Sequence, residues 1–120
     1  MKDLACLYDL ETQLSEACND MVRTALDEGR IAIGDVCSMI PEVLLNLPGC
    51  FSVRLRAPRT SSMEMGTYYM TSLLCEYCRA LLERALEGSY GFLDCILSPD
   101  ACAAMNRCVE NMEHLKTCTK

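Results

Sequence analysis

Two short apolar segments with a helix signal between them constrain the fold of this chain most. Residues 31–36 are too short and too uniformly apolar for a surface helix, and they suit a strand buried on both faces of a parallel sheet. In residues 51–55 apolar and polar side chains alternate, which predicts a second strand with one wetter face. Between them, Ser38 can cap a short helix with Pro41 in its first turn. Residues 31–56 therefore predict a β-α-β unit.

The remaining segments continue this alternation of helix and strand. Apolar residues at three- and four-residue steps predict an amphipathic N-terminal helix, which Gly29 ends. Further along, the pattern predicts a helix over about 65–87, a third strand over 92–97 and a last helix over about 101–115. Alternating elements favour an α/β fold, here a three-stranded parallel sheet with flanking helices.

The predicted sheet has two open edges. A chain of 120 residues with 51% apolar content can bury one modest core, so we predict an N-terminal helix in residues 1–28 and an α/β domain in residues 29–120. Three parallel strands leave unpaired backbone groups on both outer strands, and the last residues lack the polar tail that usually closes a domain. We therefore expect a fragment of a longer protein, or a module whose edges a partner covers.

Charge and hydropathy disfavour two classes of partner. Seventeen acidic and eleven basic side chains give a formal charge of −6, which repels nucleic acid and anionic membranes. No apolar run approaches the roughly 20 residues that span a bilayer. The first residues also lack the apolar core and cleavage site of a signal peptide. These observations predict a cytoplasmic protein that binds neither nucleic acid nor membrane.

Ten cysteines make the chain a candidate metal or redox carrier. In an intracellular protein such thiols are expected to stay reduced. Ligands bind beyond the carboxyl ends of the strands in an open parallel sheet, which selects residues 35–38, 57–59 and 98–102. Two of these segments contain a cysteine, Cys37 and Cys102. Cys102 ranks first as a metal ligand, because it is predicted in the first turn of a helix, where free N–H groups favour a thiolate.

Cys75 and Cys78 form a C-x-x-C pair, which lies nearly on one face if the segment is helical. Thioredoxin-like redox pairs begin a helix after a strand, whereas this pair is predicted inside a helix, and zinc ribbons need a second such pair. A small thiol redox or zinc protein is therefore an alternative function and not the leading one. Five other cysteines are predicted to pack in the core or on helix flanks: Cys6, Cys18, Cys50, Cys95 and Cys108.

Three arginines around the end of the second strand allow two interpretations. Arg54, Arg56 and Arg59 suit either a phosphate site or the solvated face of a strand. The solvated face is the commoner arrangement. Because a phosphate site is the other interpretation, Arg59 is kept as an additional binding candidate.

The order of several short motifs resembles one protein family. Residues 33–45 and 51–55 are similar to the opening β-α-β unit of the 2-hydroxyacyl-CoA dehydratase and benzoyl-CoA reductase subunit family. Further matching motifs follow in the same order and approximate spacing: Tyr68-Tyr69-Met70, Leu74-Cys75, Arg79-Ala80-Leu81, Gly88 to Asp94, and Ser98-Pro99-Asp100-Ala101-Cys102. The resemblance covers about residues 29–116, roughly the N-terminal third of a family member, and implies part of a Rossmann- or flavodoxin-like domain.

This resemblance implies a cofactor, a reaction and partners. Cysteines at positions like Cys75 and Cys102, with a third far downstream, would hold a four-iron four-sulfur cluster. Members of the family act with a homologous second subunit, and an ATP-dependent iron–sulfur activator injects one electron. In the dehydratases this yields a ketyl radical of the acyl-CoA thioester, which permits loss of water. The chain is thus expected to be an iron–sulfur subunit of a lyase or reductase acting on a CoA thioester, inactive when isolated.

Two departures from the family pattern matter. The third ligand lies beyond this chain, so Cys78, Cys108 or a second subunit would have to replace it, and Cys37 is a further candidate. The acidic residue of the family stands two positions after a proline, whereas Glu42 directly follows Pro41. On a short helix this shift rotates a side chain by about 100°. Glu42 is therefore a catalytic candidate in a displaced position, and a non-catalytic α/β interaction module is the alternative function.

Overall fold

The computed structural model describes residues 2–58, 60 and 62–117. Within these residues the helices are α1 (Lys2–Leu14), α2 (Asp20–Asp27), α3 (Glu42–Leu45), α4 (Glu64–Met70), α5 (Glu76–Leu86) and α6 (Ala103–His114). The strands are β1 (Ile31–Asp35), β2 (Cys50–Arg54) and β3 (Cys95–Leu97). Arg59, the additional binding candidate, lies outside the described residues.

The strands form one parallel sheet in the order β2-β1-β3, which confirms the predicted α/β fold. β1 is central, with Ile33 opposite Ser52 on β2 and Cys95 on β3. Ala32 to Asp35 are buried, as predicted for this segment. Because β3 pairs with the free side of β1, the strand order reverses between these two strands. Open parallel sheets bind ligands beyond the carboxyl ends of the strands at such a reversal.

The strand bounds differ most from the prediction at β3, which has three residues where six were expected. Asp94 explains the late start of this strand. Its carboxylate accepts the backbone N–H of Ala32 at 2.8 Å, and its own N–H donates to the Ala32 carbonyl oxygen at 3.0 Å. The carboxylate therefore takes a hydrogen bond that the backbone of a longer β3 would accept. Leu93, the preceding residue, is fully buried in the core.

The single helix predicted for the N-terminal 28 residues is two helices in the structure. Asn19 caps α2, since its side-chain oxygen accepts the N–H of Val22 at 3.1 Å. Val22 and Ala25 on α2 are buried in the core. The apolar side chains of α1, in contrast, are exposed: Leu4, Leu7, Tyr8, Leu10 and Leu14.

The prediction of a single long helix after the second strand is wrong, because this region forms two helices, α4 and α5, with a non-helical segment between them. Thr71, with a φ of 63°, ends α4. α4 then packs against α5 at Gly66, where an added Cβ would lie 2.3 Å from the carbonyl oxygen of Arg79. Glu83 on α5 is buried, and its carboxylate accepts the Gly66 N–H at 2.7 Å. The break therefore places Cys75 before the first turn of α5 instead of inside a helix.

One core cluster joins residues of α2, the sheet, α4, α5 and α6. Its largest fully buried side chains are Tyr90, Leu55, Met70, Leu81, Leu82 and Leu93. The Tyr90 hydroxyl donates to the carbonyl oxygen of Arg56, just after β2, so this buried polar atom is satisfied. Among the described residues, no helix is long and apolar enough to cross a membrane.

Candidate functional site

Two cysteines occupy the N-terminal ends of two helices that pack against each other. Cys75 is the N-cap residue of α5 and Cys102 is the N-cap residue of α6, and both are exposed. Cys102 was predicted in the first turn of its helix, and the structure places it one residue earlier, with an extended backbone. Both cysteines lie where the first backbone N–H groups of a helix have no partner within that helix, and neither side chain forms a regular capping hydrogen bond.

Cys78 connects these two thiols. It lies in the first turn of α5, is 1% exposed, and is close enough to both Cys75 and Cys102 to be affected by their charge. The thiol of Cys108 on α6 donates to the carbonyl oxygen of Cys78 at 3.2 Å, which ties the two helices together. The structure thus brings four cysteines to one region.

The environment of Cys75 stabilises its thiolate. Its side chain forms no regular N-cap hydrogen bond, but the backbone N–H of Cys78 lowers the pKa of Cys75, with smaller contributions from the N–H of Tyr77 and the charge of Arg79. Partial burial opposes this shift and does not cancel it. Hydrogen bonding to the backbone of the first turn is therefore the main reason that the pKa of this exposed thiol is lowered.

Cys78 has the opposite environment. Burial, followed by the neighbouring thiols Cys75 and Cys108, raises the pKa of Cys78 to about 12. This value lies far above neutral pH, so Cys78 keeps its proton there, whereas the pKa of Cys75 is shifted in the opposite direction. The C-x-x-C pair is thus electrostatically asymmetric.

A second group of polar side chains lies where β1 and β2 end. Asp35 is buried and forms an ion pair with Arg54 through a short Nε–Oδ2 contact. Tyr77 donates its hydroxyl to the carbonyl oxygen of Leu55 at 2.7 Å. Burial of this hydroxyl, and next the nearby Cys37 thiol, raise the pKa of Tyr77. Tyr77 of α5 therefore connects the cysteine region with the ends of the central strands.

The remaining predicted site residues lie at different distances from this region. Cys37 is half-buried just after β1, close enough to influence Tyr77. Glu42 is the first residue of α3, exposed, with Pro41 as the N-cap residue of this four-residue helix. Arg54 is held by its ion pair, and Arg56 donates to a backbone carbonyl of α1 at 3.4 Å. In the described part of the chain, these two arginines thus form ordinary structural contacts.

Of the five cysteines predicted to pack, Cys108 belongs to the core and Cys18 packs against it. Cys108 is buried, whereas Cys18, Cys50 and Cys95 are half-buried. Burial, and next the carboxylate of Asp94, raise the pKa of Cys95. Cys6 was predicted in the same way and is exposed on α1, because α1 leaves its apolar side uncovered.

The site offers the kind of ligand that an iron–sulfur cluster needs, but it offers too few of them. Thiolates are the usual ligands of such clusters. Two exposed thiols at packed helix N-termini provide the correct atoms in a field that favours anions. Within residues 2–58, 60 and 62–117, however, no three His, Cys, Asp or Glu side chains are grouped so that they could hold a metal ion.

Sequence reasoning missed that Cys75 begins a helix, together with the roles of Asp35 and Tyr77. One signal was available for the first of these. Thr71 and Ser72 are polar residues with low helix propensity, and the acidic Glu76 suits the first turn of a helix. The ion pair and the tyrosine bond join residues 19 and 22 positions apart, so no local pattern signals them.

Comparison with known protein families identifies the family of this chain. Residues 37–119 match the model of the family described as 2-hydroxyglutaryl-CoA dehydratase, D-component. This chain belongs to that family. The match spans more than half of the 120 residues and includes Cys75, Cys78 and Cys102, which confirms the predicted resemblance. It begins after β1, so α1, α2 and β1 lie outside it. No curated protein and no solved structure matches the chain.

Proposed function

We propose that this chain is the cluster-binding part of a 2-hydroxyacyl-CoA dehydratase-like iron–sulfur subunit, with Cys75 and Cys102 as two of the cluster ligands. One observation supports this most strongly. Two exposed cysteines are the N-cap residues of two helices that pack against each other, and N–H groups of the first turn lower the pKa of Cys75. Membership of the D-component family supports the choice of cofactor and substrate class.

The chain's own residues would hold and orient the cluster. Cys75 and Cys102 would bind iron as thiolates, and the free N–H groups at the starts of α5 and α6 would stabilise the negative charge of the cluster sulfurs. Cys78 is buried and holds its proton, so it supports Cys75 and does not bind iron in this conformation. A further ligand would come from outside the described residues.

The carboxyl edge of the sheet would form one side of the substrate site. Tyr77, Cys37 and the Asp35–Arg54 pair lie there, and Arg54 keeps an exposed side-chain fraction of 45% beside an otherwise buried carboxylate. Glu42 is exposed on α3 and stays the candidate acid–base group. When bound, the cluster would supply one electron to a CoA thioester. The partners in this proposal are a homologous second subunit and an ATP-dependent iron–sulfur activator.

Anaerobic reconstitution tests the ligand assignment. The purified chain is incubated with iron and sulfide without oxygen, and bound iron and acid-labile sulfide per chain are measured. We expect both in near-equal amounts, lost on exposure to air, and we expect Cys75→Ser and Cys102→Ser each to lose them. Cys6→Ser is the matched control, because Cys6 is equally exposed but lies on α1.

Two outcomes contradict the proposal. The first is a wild-type chain that binds neither iron nor sulfide although its circular dichroism shows a folded protein. The second is a pair of serine variants that retain as much iron and sulfide as the Cys6→Ser control, which would show that other residues hold the cluster.

A further inference from the structure

The break before α5 changes what the C-x-x-C pair can do. Inside a helix, residues three positions apart have Cβ atoms about 5–6 Å apart, which exceeds the roughly 3.5–4.5 Å that a disulfide spans. Cys75 is an N-cap residue with φ −48° and ψ 126°, so its backbone is not helical. An N-cap side chain turns back over the first turn, toward the third helical residue. That residue is Cys78.

The contacts of Cys75 agree with this geometry. Cys75 and Cys78 occupy the N-cap and the third helical position of the same turn, and the two thiols are close enough to influence each other. A disulfide between them would close a loop within one helix turn, without separating α5 from its neighbours.

The two thiols also differ in accessibility. Cys75 is exposed, whereas Cys78 is 1% exposed. A soluble reagent can therefore reach only the outer sulfur, and the inner sulfur can react only with a bond that the outer one has formed. Cys108 is buried as well, but its S–H is directed at the carbonyl oxygen of Cys78. Cys102 is the exposed alternative partner for Cys75.

We propose that Cys75 and Cys78 form a thiol–disulfide exchange site whose substrates are small-molecule disulfides, with Cys75 as the attacking residue and Cys78 as the resolving residue. This activity belongs to the metal-free chain and does not depend on the cluster assignment. It excludes cluster binding in the same molecule, because Cys75 cannot bind iron while its sulfur is in a disulfide.

The exchange balances with a disulfide R–S–S–R as the oxidant. The Cys75 thiolate attacks one sulfur, the S–S bond of the reagent breaks, and one R–S⁻ leaves. The Cys78 sulfur then attacks the Cys75 sulfur of the mixed disulfide, its proton passes to the first leaving thiolate, and a second R–S⁻ leaves and takes up from solvent the proton that Cys75 had released. Two protein thiols are oxidised to one disulfide, and the reagent is reduced to two thiol molecules.

The test uses the reduced, metal-free chain and oxidised glutathione at one equivalent per chain. After the reaction, free thiols are alkylated and the chain is digested for mass spectrometry. We expect the loss of two titratable thiols per chain and a peptide that contains an internal disulfide between Cys75 and Cys78. A disulfide between Cys75 and Cys102, or mixed disulfides alone in the wild-type chain, would overturn the proposal.

Three variants separate the roles of the two residues. Cys78→Ser should stop the reaction at a stable mixed disulfide on Cys75, with one glutathione released instead of two. Cys75→Ser should abolish formation of the internal disulfide. Cys6→Ser is the matched control, since it removes an exposed thiol that lies on α1, and it should leave the wild-type product unchanged. The wild-type product map decides the proposal even if one variant does not fold.

Discussion

Replacing Gly66 by alanine should force α4 away from α5 and lower the free energy of unfolding by about 3 kcal/mol. An ideal Cβ at this position would lie 2.3 Å from the carbonyl oxygen of Arg79, 3.0 Å from its carbonyl carbon and 3.3 Å from its Cα. All three are backbone atoms of α5, so no side-chain rotation can relieve the overlap. The helices must therefore separate.

The expected magnitude follows from three contributions. Overpacking in a well-packed core typically costs about 1–3 kcal/mol. Separation also weakens the bond from the Gly66 N–H to the buried Glu83 carboxylate, now 2.7 Å long, and bonds to charged groups are worth about 1.5–3 kcal/mol. Alanine recovers roughly 1 kcal/mol through its higher helix propensity in α4. The sum is a net loss of about 3 kcal/mol.

Urea unfolding followed by circular dichroism measures this loss. Gly91→Ala is the matched control, because the nearest atom to its added Cβ is the carbonyl oxygen of Gly88 at 3.4 Å, an ordinary contact. A Gly66→Ala variant as stable as Gly91→Ala within about 0.5 kcal/mol would refute the reasoning.

Three further predictions concern the candidate site. The pKa of Cys78 is raised from 9.0 to about 12, so the unfolded chain releases this proton at a lower pH than the folded chain does. The contribution of Cys78 to the free energy of unfolding is therefore complete below pH 9.0, and it should fall by about 1.4 kcal/mol per pH unit from pH 9.0 to about pH 12. Urea unfolding at stepped pH should show this slope in the wild type and a shallower one in Cys78→Ala. Tyr77→Phe should cost about 1 kcal/mol, measured in the same way, because the Leu55 carbonyl oxygen loses its hydroxyl donor at 2.7 Å; an unchanged midpoint would contradict the assigned bond. Asp35→Asn should cost about 1–3 kcal/mol because it leaves Arg54 without its carboxylate partner, and the loss should exceed that of Glu110→Gln, which breaks an exposed ion pair.

Local pattern was sufficient for β1 and β2 and insufficient for the start of β3 and for the helix ends. Both strands formed in the segments predicted for them, because burial on one or both faces leaves a direct record in residue spacing. The breaks after α1 and α4 were not predicted. Apolar spacing continues across both breaks, and spacing alone does not distinguish one long helix from two shorter ones.

For the candidate site, too, the sequence identified some features and not others. Cys75 and Cys102 were identified from the sequence, Cys102 from its position after a strand and both from the family resemblance that the family match confirms. Their arrangement was not identified. Cys75 is the N-cap residue of α5 and exposed, whereas Cys78 lies in the first turn and is buried, and this arrangement depends on where α5 begins.

The sequence by itself thus determined the α/β class, the parallel sheet, the family and the two candidate ligands Cys75 and Cys102, because these depend on residue type and short-range spacing. Only the tertiary structure decided the order β2-β1-β3, the Asp35–Arg54 pair and the packing of α4 against α5. In that packing Gly66 closely approaches the backbone of Arg79, and its N–H donates to Glu83, 17 residues away. Contacts between residues so far apart exist only once both helices have packed, so no local pattern could contain them.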